Sequence, residues 1–152
     1  MMNDKLTSFI LTGGIENLFI EQVIDTSQGK WINSIEQHPN GIPTLYKCTL
    51  DELVINIGAT SENKIEYIVV HMDDLDPDLH IGNLGNTIRN ITMDELLVFF
   101  NETKIEWRFK SVFEKVITLL VEKSNVEIIF SYYPDEGIGL QIIQNDGNRK
   151  HL

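Results

Sequence analysis

Residues 116–144 read VITLLVEKSNVEIIFSYYPDEGIGLQIIQ, and this stretch decides the predicted fold. Its three apolar runs, residues 116–122, 126–132 and 138–144, are rich in the β-branched and aromatic side chains that favour strands. The polar turns KSN and YPDEG separate the runs. Because short turns join antiparallel neighbours, the stretch predicts a three-stranded antiparallel meander.

A similar stretch, TLYKCTLDELVINIGATSENKIEYIVV, occupies residues 44–70. It predicts strands at residues 44–50, 53–59 and 65–72, again joined by short polar turns. Aligning the two stretches places Val54 against Val126, 72 positions apart, and Val70 against Ile143, 73 positions apart. The repeated plan predicts an internal duplication.

A helical pattern precedes each meander. Residues 92–103 begin with Thr92 as a predicted N-cap and carry Glu95 three positions later, which is a capping box. Residues 14–25 predict the matching first helix, with an apolar stripe of Ile15, Leu18, Phe19 and Val23. The tryptophans that follow the two helices are predicted to be packing anchors, although one of them could instead contact a partner: Trp31 and Trp107.

The predicted fold is therefore α+β, with two tandem α-β-β-β units, an antiparallel sheet and both helices packed on one face. Residues 1–76 form the first unit, residues 77–91 an acidic linker with Gly and Asn, and residues 92–152 the second unit. All three are expected to form one compact domain. The large side chains of the second unit that we expect to be buried are Phe100, Trp107, Leu119, Ile129 and Ile142.

The charge is strongly negative, with 23 acidic and 12 basic residues and a net charge of -11. Such a field repels phosphate backbones and anionic lipid headgroups, so the composition argues against nucleic-acid and membrane partners and favours a cationic one. An acidic surface also serves solubility alone. Residues 1–76 carry a net charge of -8 and residues 77–152 a net charge of -3, so the negative charge is concentrated in the first half.

Other sequence features point to a cytoplasmic protein. No apolar run approaches the roughly 20 residues of a membrane span, and the N-terminal run is shorter than the core of a signal peptide. The single Cys48 cannot form an internal disulfide, and its place in an alternating strand predicts core packing.

Catalytic and metal-binding patterns are weak. Asp74, Asp76 and Asp78 match the first three ligand spacings of a calcium loop, but Leu79 stands where the loop needs glycine and Gly85 where it needs glutamate. The histidines are scattered over predicted loops and the C-terminus: His38, His71, His80 and His151. We therefore predict a solvated acidic loop, no cofactor and no enzymatic activity.

The pattern DELLVFFNETKIEW (residues 94–107), followed by VITLLVEKSNVEIIFSYY and GIGLQIIQ in a small acidic chain, resembles the immunity proteins of bacterial polymorphic-toxin and contact-dependent growth inhibition systems. The resemblance implies a stoichiometric inhibitor that binds a cognate toxin domain, often a nuclease, inside the producing cell. It leaves the oligomeric state open.

We predict that the partner-binding face lies where the carboxylates are densest, and that it includes Asp51, Glu52, Glu62, Asp73, Asp74, Asp76 and Asp78. The alternative is a small-molecule-binding or enzymatic domain whose pocket lies between the helices and the sheet. A solid core with an exposed acidic rim favours the first hypothesis, whereas a cavity with inward-facing polar groups favours the second.

Overall fold

The computed structural model describes residues 4–24, 34–37, 44–50, 53–134 and 137–147. The described part contains two α-helices, α1 at Asp4–Thr12 and α2 at Met93–Glu102. A 3-10 turn at Met72–Asp74 follows the fourth strand. The strands are β1 Ser34–Gln37, β2 Thr44–Leu50, β3 Leu53–Ala59, β4 Ile65–His71, β5 Trp107–Phe113, β6 Val116–Val121, β7 Val126–Tyr133 and β8 Gly137–Asn145.

The strands form one antiparallel sheet in the order β1-β2-β3-β4-β8-β7-β6-β5. Each half of the chain folds as a meander, and the two meanders join where β4 pairs with β8. In that central pair Val70 lies directly opposite Ile143. The six strands expected from the apolar runs are confirmed, with bounds that agree within one residue.

The strand count of the predicted units is wrong, because each meander has four strands and not three. The outermost strands, β1 and β5, were not expected. In β5 the register shifts between Phe109 and Ser111. This bulge breaks the alternation of apolar and polar residues, so Trp107, Phe109 and Val112 share a face without showing a period of two.

The predicted first helix is also wrong. Residues 14–24 form turns and isolated bridges, such as that between Ile15 and Leu18, while residue 25 lies outside the described residues. The helix lies upstream, where Leu6, Phe9 and Ile10 have the spacing of one helical face and are fully buried.

Gly13 ends α1 with φ of +82°, a conformation that L side chains rarely adopt. Its N–H donates to the Phe9 carbonyl at 2.8 Å, which closes the last turn. A Cβ at this position would lie 2.6 Å from the Ser124 carbonyl oxygen. Glycine is therefore required both for the turn and for the close approach of α1 to the turn between β6 and β7.

The predicted capping box of α2 is confirmed at its N-cap. The Thr92 hydroxyl accepts from the Glu95 N–H at 3.2 Å. Leu96 and Phe100 lie on the buried face of the helix. Helix α2 thus begins and ends within one residue of the prediction.

One hydrophobic cluster contains side chains of both helices, the sheet and residues 77–91. Leu79, Ile81, Ile88 and Ile91 are buried in it, so the predicted linker contributes to the core. Placement of both helices on one face, and the predicted domain bounds, stay predictions.

Alternation along the strands gives the sheet a core face and an outer face. On the core face Leu53, Ile55 and Ile57 of β3 are buried, and Val126, Ile128 and Phe130 of β7 are their counterparts. Leu53 therefore matches Val126, whereas the alignment of Val54 with Val126 was wrong by one position. Val54 lies half-buried on the outer face.

Burial of the large side chains follows these faces. Phe100 and Leu119 are fully buried, as expected. Ile129 and Ile142 pair with each other on the outer face and are only half-buried. Trp107 is half-buried too; its Nε1 donates to Asn101 Oδ1 at 2.9 Å, and its ring meets Phe109 edge-on at 5.3 Å. Trp31 lies outside the described residues.

Candidate protein-binding surface

Four of the predicted binding residues lie together on one segment. Asp73 and Asp74 end the 3-10 turn after β4, and Asp76 and Asp78 follow within four residues. All four are exposed. We call residues 73–78 the acidic segment. Asp51 and Glu52 lie outside the described residues.

Buried apolar side chains hold the backbone of the acidic segment in place. Met72, Leu75 and Leu79 alternate with the aspartates and are buried in the core. The Leu75 N–H donates to the Met72 carbonyl at 3.1 Å, and the Asp78 N–H donates to Asp76 Oδ1 at 2.9 Å. The apolar side chains therefore hold the backbone of the segment in place and leave the carboxylates at the surface.

Most of the charge on this segment is unbalanced. Lys47 Nζ lies 3.9 Å from Asp74 Oδ2, and the described residues supply no other ion pair to the segment. Exposed carboxylates of one sign at close spacing add to the negative field of the whole chain. The segment thus presents a fixed patch of negative potential.

Glu62 does not join this patch. It is exposed on the turn between β3 and β4, whereas the acidic segment follows the other end of β4. A seven-residue strand spans roughly 20 Å. The structure therefore separates Glu62 from the aspartates by about the length of the strand.

A cleft of about 610 Å³ lies beside the acidic segment, where that segment meets the start of β8. Its lining includes Asp73 and Pro77 of the acidic segment, Ile138 and Gly139 of β8, and Arg89. The cleft lies at the surface because Asp73, Arg89 and Ile138 are all exposed. It brings the acidic segment next to β8 of the second meander.

The second meander places exposed apolar side chains at the same end of the sheet. We call them the apolar tip: Val112, Phe113, Val116, Tyr132 and Ile138. Phe113 is 71% exposed and Val112 is 64% exposed. Val112, Tyr132 and Ile138 continue the core face beyond the buried Phe130, while Phe113 and Val116 pair on the outer face.

Sequence reasoning missed the apolar tip because it assigned apolar strand residues to the core. A usable signal was present in the neighbouring pair Val112 and Phe113. Successive side chains of a strand point to opposite faces, so one member of such a pair faces away from the core unless a second layer covers it.

Among the described cysteine and histidine side chains, Cys48 is buried, His80 is hydrogen-bonded and His71 is exposed. Burial raises the pKa of the Cys48 thiol from its ordinary value of 9.0 to about 11, so this thiol stays protonated at neutral pH. His80 Nδ1 lies 2.9 Å from the Leu84 carbonyl oxygen. The described ranges contain no group of three or more His, Cys, Asp or Glu side chains suited to a metal ion.

Within the described residues, neither helix has the length and apolar character needed to cross a membrane. Comparison with protein-family models, with curated proteins and with solved structures finds no match to this chain.

Proposed function

We propose that this protein is an immunity protein that binds and neutralises a cognate bacterial toxin domain by covering its basic active site. The observation that carries the proposal is the acidic segment, in which exposed carboxylates are held outward by buried Met72, Leu75 and Leu79. The buried hydrophobic cluster beneath these exposed carboxylates supports the inhibitor hypothesis.

The physical mechanism is charge substitution. A toxin domain that cleaves nucleic acid presents a basic cleft to the phosphate backbone. Carboxylates such as Asp73 and Asp76 replace the phosphates in that cleft, and the field of the chain accelerates the encounter. The prediction that follows is fast association that slows as salt is added.

The test is a charge reversal of the segment. The variant Asp73→Lys, Asp74→Lys, Asp76→Lys should associate with the toxin domain encoded beside this protein at least 10-fold more slowly at low salt and should no longer protect growth. Its fold should persist because all three side chains are exposed.

The matched control reverses three exposed glutamates near the other end of the sheet, Glu21, Glu62 and Glu102. This variant has the same net charge as the first, so total charge and local position are separated. Equal losses in both variants would show that the overall field, and not the acidic segment, controls association.

The alternative function is binding of a small molecule, and the cleft between Asp73 and Ile138 is where it would occur. The discriminating measurement is binding of the purified protein to the toxin domain at low and high salt. Absence of a complex at micromolar concentration would remove the immunity proposal and make the ligand-binding alternative the better one.

We also infer that the two meanders arose by duplication of one unit. The strand order is symmetrical about the β4–β8 pair, and Val70, which aligns with Ile143 at 73 positions, lies directly opposite it. A two-fold axis through that pair would relate the halves. Superposition of residues 53–70 on residues 126–143 tests this inference.

A further inference from the structure

We propose that the apolar tip is the anchor that holds the toxin domain once the acidic segment has attracted it. The proposal rests on the proposed function and deepens it. The acidic segment attracts the toxin domain over distance, and the apolar tip slows its dissociation. The occupant is a toxin surface in which an apolar patch lies beside lysines and arginines.

The first support is the concentration of exposed apolar area. Ten large apolar side chains are exposed in the described part of the chain, and six of them belong to β5–β8. Five of these six form the apolar tip, and the sixth is Phe109 on the edge strand. Three of the five tip side chains lie on the core face and two on the outer face, all at one end of the sheet. Exposed apolar area gathered in one place marks interaction sites on soluble proteins.

The second support is the fixed geometry of the tip. Only Glu114 and Lys115 connect β5 to β6, and Glu114 has φ of 53°, which is unusual for a residue other than glycine or asparagine. The Tyr132 N–H donates to the Lys115 carbonyl at 2.8 Å and ties the turn to β7. A tip fixed in this way loses little conformational freedom on binding.

The third support is the continuity between the tip and the acidic segment. Ile138 of the tip and Asp73 of the segment line the same cleft. A partner seated across this cleft therefore meets Ile138 of the tip and Asp73 of the segment together, with Arg89 also at the border. This juxtaposition complements a basic active site that has apolar residues at its border.

The edge strand β5 itself is protected against addition of another strand. The bulge between Phe109 and Ser111 interrupts its free edge. Lys110 and Arg108 lie along it, paired with Glu127 and Glu122 at 2.6 Å each. Charged side chains and bulges are devices that block edge-to-edge pairing, so contact through the tip side chains is favoured over strand addition.

The experiment measures association and dissociation rates of the toxin complex for the full-length chain and its variants. Phe113→Ser should weaken binding about 30-fold, almost all of it in the dissociation rate, and its dependence on salt should match the wild type. Val112→Ser should act in the same direction with a smaller effect.

The matched control is Val23→Ser. Val23 is 63% exposed, against 64% for Val112, and it pairs with Lys64 beside the turn at the other end of the sheet. It should leave both rates within twofold of the wild type. Hydrogen exchange of the wild-type complex should show new protection in residues 109–116, which tests the proposal without any substitution.

The outcomes separate the two proposals. A wild-type chain that forms no toxin complex overturns the immunity function and the anchor with it. If the wild type binds but Phe113→Ser and Val112→Ser dissociate no faster, only the anchor is overturned. Formation of a dimer that Phe113→Ser abolishes, with unchanged toxin binding, also overturns it, because the tip then serves a second copy of this chain.

Discussion

The two meanders bury equivalent positions but present different surfaces. Ile55 of the first and Ile128 of the second are both fully buried, and the strand residues opposite them, Cys48 and Leu119, are buried as well. At the shared end of the sheet the first meander continues into the acidic segment, whereas the second ends in the apolar tip. Core packing constrains the inward positions of both halves, while the exposed ends are free to differ.

The largest effect is expected from truncating counterpart core residues. Phe130→Ala should lower the free energy of unfolding by about 3–5 kcal/mol and Ile57→Ala by about 2–5 kcal/mol, because both side chains are fully buried. Urea titration measures both. A single transition in each variant is expected, since one cluster contains both meanders. Separate unfolding of one meander in either titration would show that the two meanders do not share one cooperative core.

The next effect concerns how α1 is attached to the second half. The Ser124 hydroxyl, in the turn between β6 and β7, donates to the Ile10 carbonyl at 2.7 Å in a buried site. Ser124→Ala leaves that carbonyl without its donor and should cost about 1–3 kcal/mol. Thr103→Ala, which removes an exposed hydroxyl that donates at 2.6 Å to the Phe99 carbonyl, is the control and should cost less. Equal losses would show that the buried bond between α1 and the β6–β7 turn stabilises the fold no more than an exposed bond does.

A third prediction uses the chemical difference between Cys48 and its counterpart Leu119. Burial holds the pKa of the thiol near 11, above its ordinary 9.0, so the unfolded chain loses this proton at lower pH than the folded chain. Below pH 9 the Cys48 thiol is protonated in both states and does not lower the free energy of unfolding. As pH rises from 9 to 11 it lowers the free energy of unfolding by up to about 1.4 kcal/mol per pH unit.

The measurement for Cys48 is the melting temperature between pH 8 and pH 11, with Cys48→Ala as the control, because alanine has no proton to lose. The wild type should lose more stability than the variant across this range. Parallel curves would show that the thiol does not contribute. At pH 7.5 the folded chain should also resist thiol reagents until it is unfolded.

The smallest effects are expected on β5, where two ion pairs of equal length differ in burial. Lys110 pairs with Glu127, whose side chain is 10% exposed, and Arg108 pairs with Glu122, whose side chain is 43% exposed. Lys110→Ala should cost about 1 kcal/mol and Arg108→Ala less than about 0.5 kcal/mol. Thermal unfolding measures both. The reverse order would show that burial does not control these pairs.

The sequence by itself determined the local structure that depends on neighbouring residues. Runs of β-branched residues between short polar turns specified six strands, and Thr92 with Glu95 specified the start of α2. These signals were sufficient because the interactions involved, hairpin pairing and N-capping, act within a few residues. The location of the aspartates in an exposed segment was predictable for the same reason.

Tertiary structure decided what depends on distant contacts. Strand β5 shows no period of two because of its bulge, and the bulge depends on pairing with β6. The helix at Asp4–Thr12 is stabilised by contacts with the turn at Ser124. Asp73 and Ile138 are 65 positions apart and share a cleft only because β4 pairs with β8. That pairing buries Val70 against Ile143 in the common core. Burial of apolar area between residues that are far apart in the chain fixed which surfaces came together, and no local sequence pattern specifies such contacts.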